Sequence, residues 1–361
     1  MSCRIAEQRR RGRGAVSNAV GRFEPQTREI VDDGWDSAAD LPPLPVEITR
    51  EVARSIIARN TSPDLPFDRS INPYRGCEHG CIYCFARPSH AYLGLSPGLD
   101  FETKLTVKPG AAALLRKALD KPGYTPATLA LGANTDPYQP IEREYGTTRE
   151  IVQVLLDYRH PFAITTKSAL VTRDLDLLRE AAALGILRVA MSVTTLDHRL
   201  SRAMEPRCSA PHARFRAMER LAEAGVPVMA MTAPMIPALN DHEMEKLLET
   251  ARDAGATSAG YVALRLPREI ATLFREWLEE HYPDRAHRIL GHIRTMHGGK
   301  DYDAEWGKRM TGTGPYAQLL AMRFEKAVAR LGLERGRMGQ RPDLFRRPPR
   351  VGDQFDLFGP E

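Results

Sequence analysis

Between Asn72 and Pro88 the chain reads NPYRGCEHGCIYCFARP, and this stretch constrains the fold more than any other. It holds Cys77, Cys81 and Cys84 in the spacing C-x3-C-x2-C, three of the five cysteines in the chain. Thiolates bind soft metals and iron–sulfur clusters, and a loop this short can wrap three of them around one cluster. Cys3 lies in a basic N-terminal stretch and Cys208 far downstream, so no neighbouring cysteine makes a fourth ligand. A four-iron cluster held by three cysteines keeps one iron open, which suits chemistry better than plain electron transfer. Gly76 and Gly80 let the backbone turn tightly around sulfide. A structural zinc site is the alternative. Zinc wants four N or S ligands, and His79, inside the loop, would close the tetrahedron only under crowding.

The remaining composition is globular, with 42% hydrophobic and 27% charged residues in 361, enough for one large domain or two ordinary ones. No run of about 18 apolar residues exists, so no membrane span is expected. The arginine-rich N-terminus has no apolar core and is not a secretory signal. Clustered cysteines do not look like a disulfide framework, and reduced thiols point to the cytoplasm. Charge is concentrated at the ends. Residues 1–22 carry six arginines against Glu7 alone, and residues 335–350 six against Asp343 alone. Such arms suit phosphate backbones, or serve only as solubilising tails.

Residues 1–47, ending in LPPLP, are expected to be a disordered basic arm and Pro-rich linker. Ile48 to Ala58 is expected as an amphipathic segment. Strands follow at 69–74, 128–131, 162–165, 187–193, 226–231 and 259–264, alternating with helices at 111–119, from Thr147, from Asp174, at 212–224 and from Asn240. Thr147 with Glu150 reads as a capping box, Asp174 as an N-cap, and Asn240 with Glu243 as another cap. Six strands alternating with helices make an α/β fold with a parallel barrel or partial barrel over 48–267. A helical extension (268–334) has helices at 269–281 and 316–331. A basic tail (335–361) ends in QFDLF.

The cysteine loop, with Tyr83 just before its last cysteine, resembles that of the radical S-adenosylmethionine (SAM) superfamily. The resemblance implies a partial (β/α)6 TIM-like barrel, a [4Fe-4S] cluster on Cys77, Cys81 and Cys84, and SAM chelated to the open iron. It also implies reductive cleavage to a 5′-deoxyadenosyl radical, fed by an electron donor such as flavodoxin or ferredoxin. In parallel βα barrels the site collects at the C-terminal strand ends. Asn134, Thr135 and Asp136 in GANTD then become acceptors for the SAM ammonium, Lys167 a partner for its carboxylate, and Ser192 and Thr194 further hydroxyl contacts. Tyr83, Glu205, Cys208 and Arg265 are the candidates for catalysis; Glu205 and Arg207 read either as an ion pair that shapes the site or as ordinary surface charge.

More narrowly, CEHGCIYCFARP, TDPYQPIE, TKSALVTRDLDLL, EPR and PMIPALND resemble the branch related to spore photoproduct lyase, over roughly residues 68–267. That likeness implies nucleic acid as substrate. The lyase relays hydrogen atoms through a cysteine near the second-strand loop and a tyrosine after the last cluster cysteine. Here the loop around Asn134 has no cysteine and Phe85 follows Cys84, so the relay is missing. The terminal peptide, with Gln354, Leu357 and Phe358, resembles the motif by which bacterial repair proteins hold the DNA sliding clamp. DNA and the clamp are therefore candidate partners, and no membrane is expected. The rival readings are a non-catalytic nucleic-acid or clamp-binding module with a structural cluster, and a radical SAM enzyme acting on a peptide or small metabolite.

Overall fold

The computed structural model describes residues 12–24, 44–336 and 340–349. Its elements run, in order, β1 (Glu47–Arg50), β2 (Ile57–Arg59), β3 (Arg69–Ile71), β4 (Tyr74–Arg75), α1 (Asp100–Thr103), β5 (Lys104–Val107), α2 (Ala111–Leu119) and β6 (Leu129–Leu131). Then come α3 (Glu142–Tyr145), α4 (Thr147–Asp157), β7 (Phe162–Thr166), α5 (Leu175–Ala183), β8 (Leu187–Ser192), α6 (His198–Met204), α7 (Pro211–Glu223) and β9 (Val228–Met235). The chain continues with α8 (Met244–Asp253), β10 (Ser258–Ala263), α9 (Ile270–His281), α10 (Pro283–Met296), α11 (Gly314–Leu331) and β11 (Glu334–Arg335).

The main sheet has the order β11-β10-β9-β8-β7-β6-β3-β2. Its six central strands, β3 and β6 to β10, are parallel and lie in chain order. β2 runs antiparallel at one edge and β11 parallel at the other, and the edges do not pair with each other. The fold is a partial barrel with α-helices packed on its strands. Short apolar runs such as LAL and FAITT are nearly all buried, as expected of parallel strands covered on both faces. The helices turn one stripe inward, as Ile151, Val154 and Leu155 do on α4. Each such fully buried aliphatic side chain contributes roughly 1.5–3 kcal/mol. No described helix is long and apolar enough to cross a membrane.

All six expected barrel strands are present, with shifted ends. The first expected strand is cut short at Ile71, because Pro73 has no N–H for the ladder. The chain then enters a separate three-stranded sheet, β1-β5-β4, which the sequence reading lacks. In place of an amphipathic segment at 48–58 stand β1 and β2. The capping assignments are also corrected. Glu142, not a Thr147–Glu150 box, receives the Thr148 and Arg149 N–H groups at 2.9 and 3.3 Å. Asp174 makes no cap bond and pairs with Arg149 and Arg173. Asn240 instead bridges Ile236 N, Thr194 O and Pro234 O.

Neither expected tail is loose throughout. Residues 12–24 of the supposed disordered arm pack on the cysteine loop, with Ala15, Val16 and Ser17 buried. In the supposed flexible basic tail, Phe345 sits 5.5–6.2 Å from the rings of Tyr124, Tyr158 and His160. Arg347 donates to the carbonyls of Leu119 and Lys121 at the end of α2. The extension contains α10, unanticipated, and is part of the same body. α9 and α10 share a core with Ile82, Tyr83 and Met204, while α11 packs on α8 and β10. Cys3, Gln354, Leu357 and Phe358 lie outside the described residues.

Candidate functional site

Parallel order places every loop that follows β3 and β6 to β10 at one end of the sheet, and the cysteine loop leaves from β3. Cys77 N–H anchors it on Phe101 O (2.9 Å), and it then descends through successive turns, with Gly80 N–H to Cys77 O (3.3 Å) and Cys84 N–H to Cys81 O (3.2 Å). Gly80 has φ +68°, and a Cβ there would lie 2.7 Å from Glu102 Oε2. A Cβ on Gly14 would overlap the Gly80 carbonyl, so the N-terminal segment crosses the loop glycine on glycine.

A wholly buried arginine fixes this loop. Arg87 donates to the carbonyls of Gly80 (3.0 Å), Cys81 (2.9 Å), Pro97 (3.0 Å) and Gly98 (2.9 Å), and to Glu102 at 2.6 Å. Glu102 in turn accepts from the N–H groups of Gly14 and Ala15. Nothing in the sequence singles out Arg87 or Glu102, because their partners are mostly backbone carbonyls or far away.

Cys77 and Cys81 are buried, and Cys84 is partly so. Burial, with the nearby Cys81 and Cys77 sulfurs, pushes the Cys84 thiol up to about 12. Three thiolates crowded in one buried loop therefore need a cationic partner, which the irons of a cluster supply. His79 lies against the loop, its Nδ1 3.3 Å from Asp136 Oδ2. Burial alone would lower the His79 pKa, but Asp136 and Cys77 outweigh it and hold it well above the usual imidazole value. The thiol set fits a cluster with an open iron.

The other strand ends sort into three groups. In GANTD, Asp136 accepts from Thr166 Oγ1 (2.7 Å), Lys167 N (2.8 Å) and Tyr138 N (2.8 Å) as well as facing His79. Thr135 Oγ1 donates to Tyr74 O (3.0 Å), and Asn134 is held by its own N–H on Asn72. Thr135 and Asp136, expected as acceptors for the ammonium, thus make scaffold hydrogen bonds in this structure.

The second group surrounds Cys81. Lys167 donates to Ser192 Oγ at 2.8 Å and stands 5.7 Å over the Tyr83 ring. Tyr83 donates its phenol to Glu205, which pairs with the buried Arg214. Arg214 also ties down Ser209 O (2.7 Å) and Ser192 O (3.0 Å). Burial would raise the Glu205 carboxyl, yet Arg214 and Lys167 hold it below its ordinary value. Cys208 Sγ lies 3.6 Å from Cys81 Sγ. The Glu205–Arg207 pair is not formed, and Arg207 pairs with Glu78 at 2.5 Å. Thr194 is buried with its hydroxyl lacking a partner among the described residues.

The third group is at the rim. Arg265 stacks 4.4 Å over the exposed ring of Phe85, next to Cys84, and burial lowers its pKa. Of the sequence candidates, Tyr83, Lys167, Ser192, Glu205 and Cys208 thus converge on Cys81, while Arg265 stands apart. Sequence reasoning missed Arg214, whose pairing is visible only in three dimensions.

Comparison with known proteins gives the same assignment. Residues 71–251 match the Radical SAM superfamily. An uncharacterized protein of Mycobacterium tuberculosis is 40% identical over 222 residues, which are 61% of this chain and 65% of that protein, under two thirds of its length. An uncharacterized protein of Methanocaldococcus jannaschii is 28% identical over 239 residues, covering 66% of this chain and 85% of its own. Spore photoproduct lyase complexed with dinucleoside spore photoproduct superposes with a TM-score of 0.56 at 15% identity, over 80% of this chain and 81% of that one. A single-residue variant of the same lyase gives 0.57 at 16%, over the same shares. At these identities the likeness to the lyase is one of fold.

Proposed function

Because this chain belongs to the radical SAM superfamily, we propose that the site at its strand ends turns a SAM-derived radical on nucleic acid. The chain is an enzyme of that superfamily, with a [4Fe-4S] cluster and SAM as cofactors. When bound, these two supply reductive cleavage of a carbon–sulfur bond and so a 5′-deoxyadenosyl radical. The observation that carries the reading is the convergence of Lys167, Ser192, Tyr83 and Glu205 on the cysteine loop. Cys77, Cys81 and Cys84 would hold the cluster. Lys167 and Ser192 would bind the SAM carboxylate, and the unpartnered Thr194 hydroxyl would donate to it or to the ribose. Asn134 would meet the ammonium through its backbone carbonyl, with Asp136 and His79 bracing the loop. Arg87 and Glu102 would keep the loop closed against water.

Two observations support nucleic acid. The shared fold includes a lyase that binds a dinucleoside photoproduct. Exposed Phe85 and Tyr92 lie beside the loop with Arg265 and Arg268 against them, a combination that stacks bases and meets phosphate. The sliding clamp, reached through Gln354, Leu357 and Phe358, and an electron donor of the flavodoxin or ferredoxin type complete the proposed partners. Hydrogen return would not follow the lyase, since Phe85 follows Cys84 and no cysteine lies in the loop at 132–140.

The test is anaerobic reconstitution with iron and sulfide, then SAM and dithionite, with and without single-stranded DNA. Formation of 5′-deoxyadenosine that increases with DNA supports the reading; formation that ignores DNA but responds to peptide overturns the nucleic-acid part. Alanine at Cys77, Cys81 and Cys84 together should abolish both iron content and SAM cleavage. Persisting cleavage in that variant would remove the cluster assignment.

A further inference from the structure

We propose that Cys81 and Cys208 form a reversible disulfide in the cluster-free protein, a modification site that blocks cluster loading until it is reduced. This rests on the cluster reading above only for its consequence; the disulfide itself rests on geometry. The two sulfurs stand 3.6 Å apart, against about 2.05 Å in a formed bond, so a small side-chain movement closes the gap.

The segments that bear them are stapled face to face although 127 residues separate the two cysteines. Ile82 N–H donates to Met204 O at 3.0 Å, and Arg207 N–H to His79 O at 3.3 Å. Arg207 pairs with Glu78, and the Tyr83 phenol with Glu205. The encounter of the thiols is therefore built into the fold and is not left to chain diffusion.

The chemistry is thiol–disulfide exchange with a small-molecule disulfide such as oxidised glutathione as oxidant. Cys208 is the more exposed of the pair. One thiolate of the pair attacks the oxidant, forming a mixed disulfide and releasing one reduced thiol. The other cysteine, as thiolate, then attacks the protein sulfur of that mixed disulfide, forming the internal bond and expelling the second thiol. Two cysteine thiols are oxidised and one external disulfide is reduced to two thiols, so electrons and protons balance. In the loaded protein the Cys81 sulfur is bound to iron and cannot react, so cluster and disulfide exclude each other.

The experiment uses the full-length, cluster-free protein. It is treated with oxidised glutathione, its remaining thiols are alkylated, and it is mapped by non-reducing mass spectrometry. The expected product joins the peptides of Cys81 and Cys208, with Cys77 and Cys84 alkylated. A dominant bond within 77–84, or alkylated Cys208, overturns the proposal, and this reading needs only the wild-type chain. As a second measurement, oxidised wild-type protein should take up no iron until a phosphine reductant is added, whereas Cys208→Ser treated alike should load without it. Equal loading of both overturns the blocking role. If fully reduced wild-type protein binds no iron, it is the cluster reading that fails, whatever the map shows.

Discussion

Each end of the main sheet is fastened by a segment from a different terminus, and the two fastenings use different physics. At the C-terminal strand ends, residues 12–24 close over the cysteine loop through buried charge: Arg87 with Glu102, and close by Arg214 with Glu205. At the opposite end, residues 340–349 cover the starts of β6 and β7 with rings, Phe345 against Tyr124, Tyr158 and His160. Within that ring cluster His160 Nε2 lies 2.8 Å from the Tyr124 hydroxyl, and beside it Arg347 donates to the carbonyls of Leu119 and Lys121. Two buried histidines show the contrast. At the mouth Asp136 and Cys77 hold the His79 pKa well above its ordinary value, while at the base burial pushes His160 down to about 4. Taking charges out of water rarely gains stability over apolar packing. The mouth accepts that cost where chemistry needs fixed charge, and the base does not.

The largest expected effect tests the mouth. Arg214→Ala leaves Glu205 buried without its partner and should cost about 3–5 kcal/mol in urea unfolding, with iron content falling as the loop loosens. A loss below about 1 kcal/mol, the scale of an exposed pair, would erase the contrast. The next effect is acid sensitivity of the base. With its folded pKa near 4, His160 binds a proton more weakly than in the unfolded chain at about 6.5, so its contribution is full above 6.5. That contribution, at most about 3 kcal/mol, is lost as pH falls from 6.5 to 4. Unfolding measured across this window should therefore be flatter in His160→Gln than in the wild type, with buried His90 keeping its own share. Identical slopes would show that His160 does not titrate with unfolding. The smallest effect sharpens the comparison: Phe345→Ala should cost about 2 kcal/mol, below a full core phenylalanine because the ring is only partly covered. Iron content and SAM cleavage should be unchanged; a fall in either would couple the two ends.

What could be read from the sequence follows the range of the interaction. The six barrel strands are local apolar runs between turn residues, and all six were legible, as was the loop of Cys77, Cys81 and Cys84. β1 was not, because EITR is largely exposed and its parallel partner β5 lies beyond the cysteine loop. The packing of Gly14 and Ala15 depends on Glu102, and no periodicity in small residues announces it. Lys167 and Ser192 do stand together at neighbouring strand ends, a position that local strand signals make legible. The partner of Glu205 shows the limit: Arg207 is nearer in sequence, but Arg214, one helix further, reaches inward from α7.

The strands of the barrel pair in the order in which they are synthesised, so the sheet can lengthen one strand at a time behind the ribosome. The cysteine loop does not share that convenience. Tyr83 must wait for Glu205, 122 residues later. At about 5–20 residues per second, this leaves the loop without its lid for roughly 6–25 s. During every round of translation, then, three thiols meant for iron meet the cell before the structure that shelters them exists.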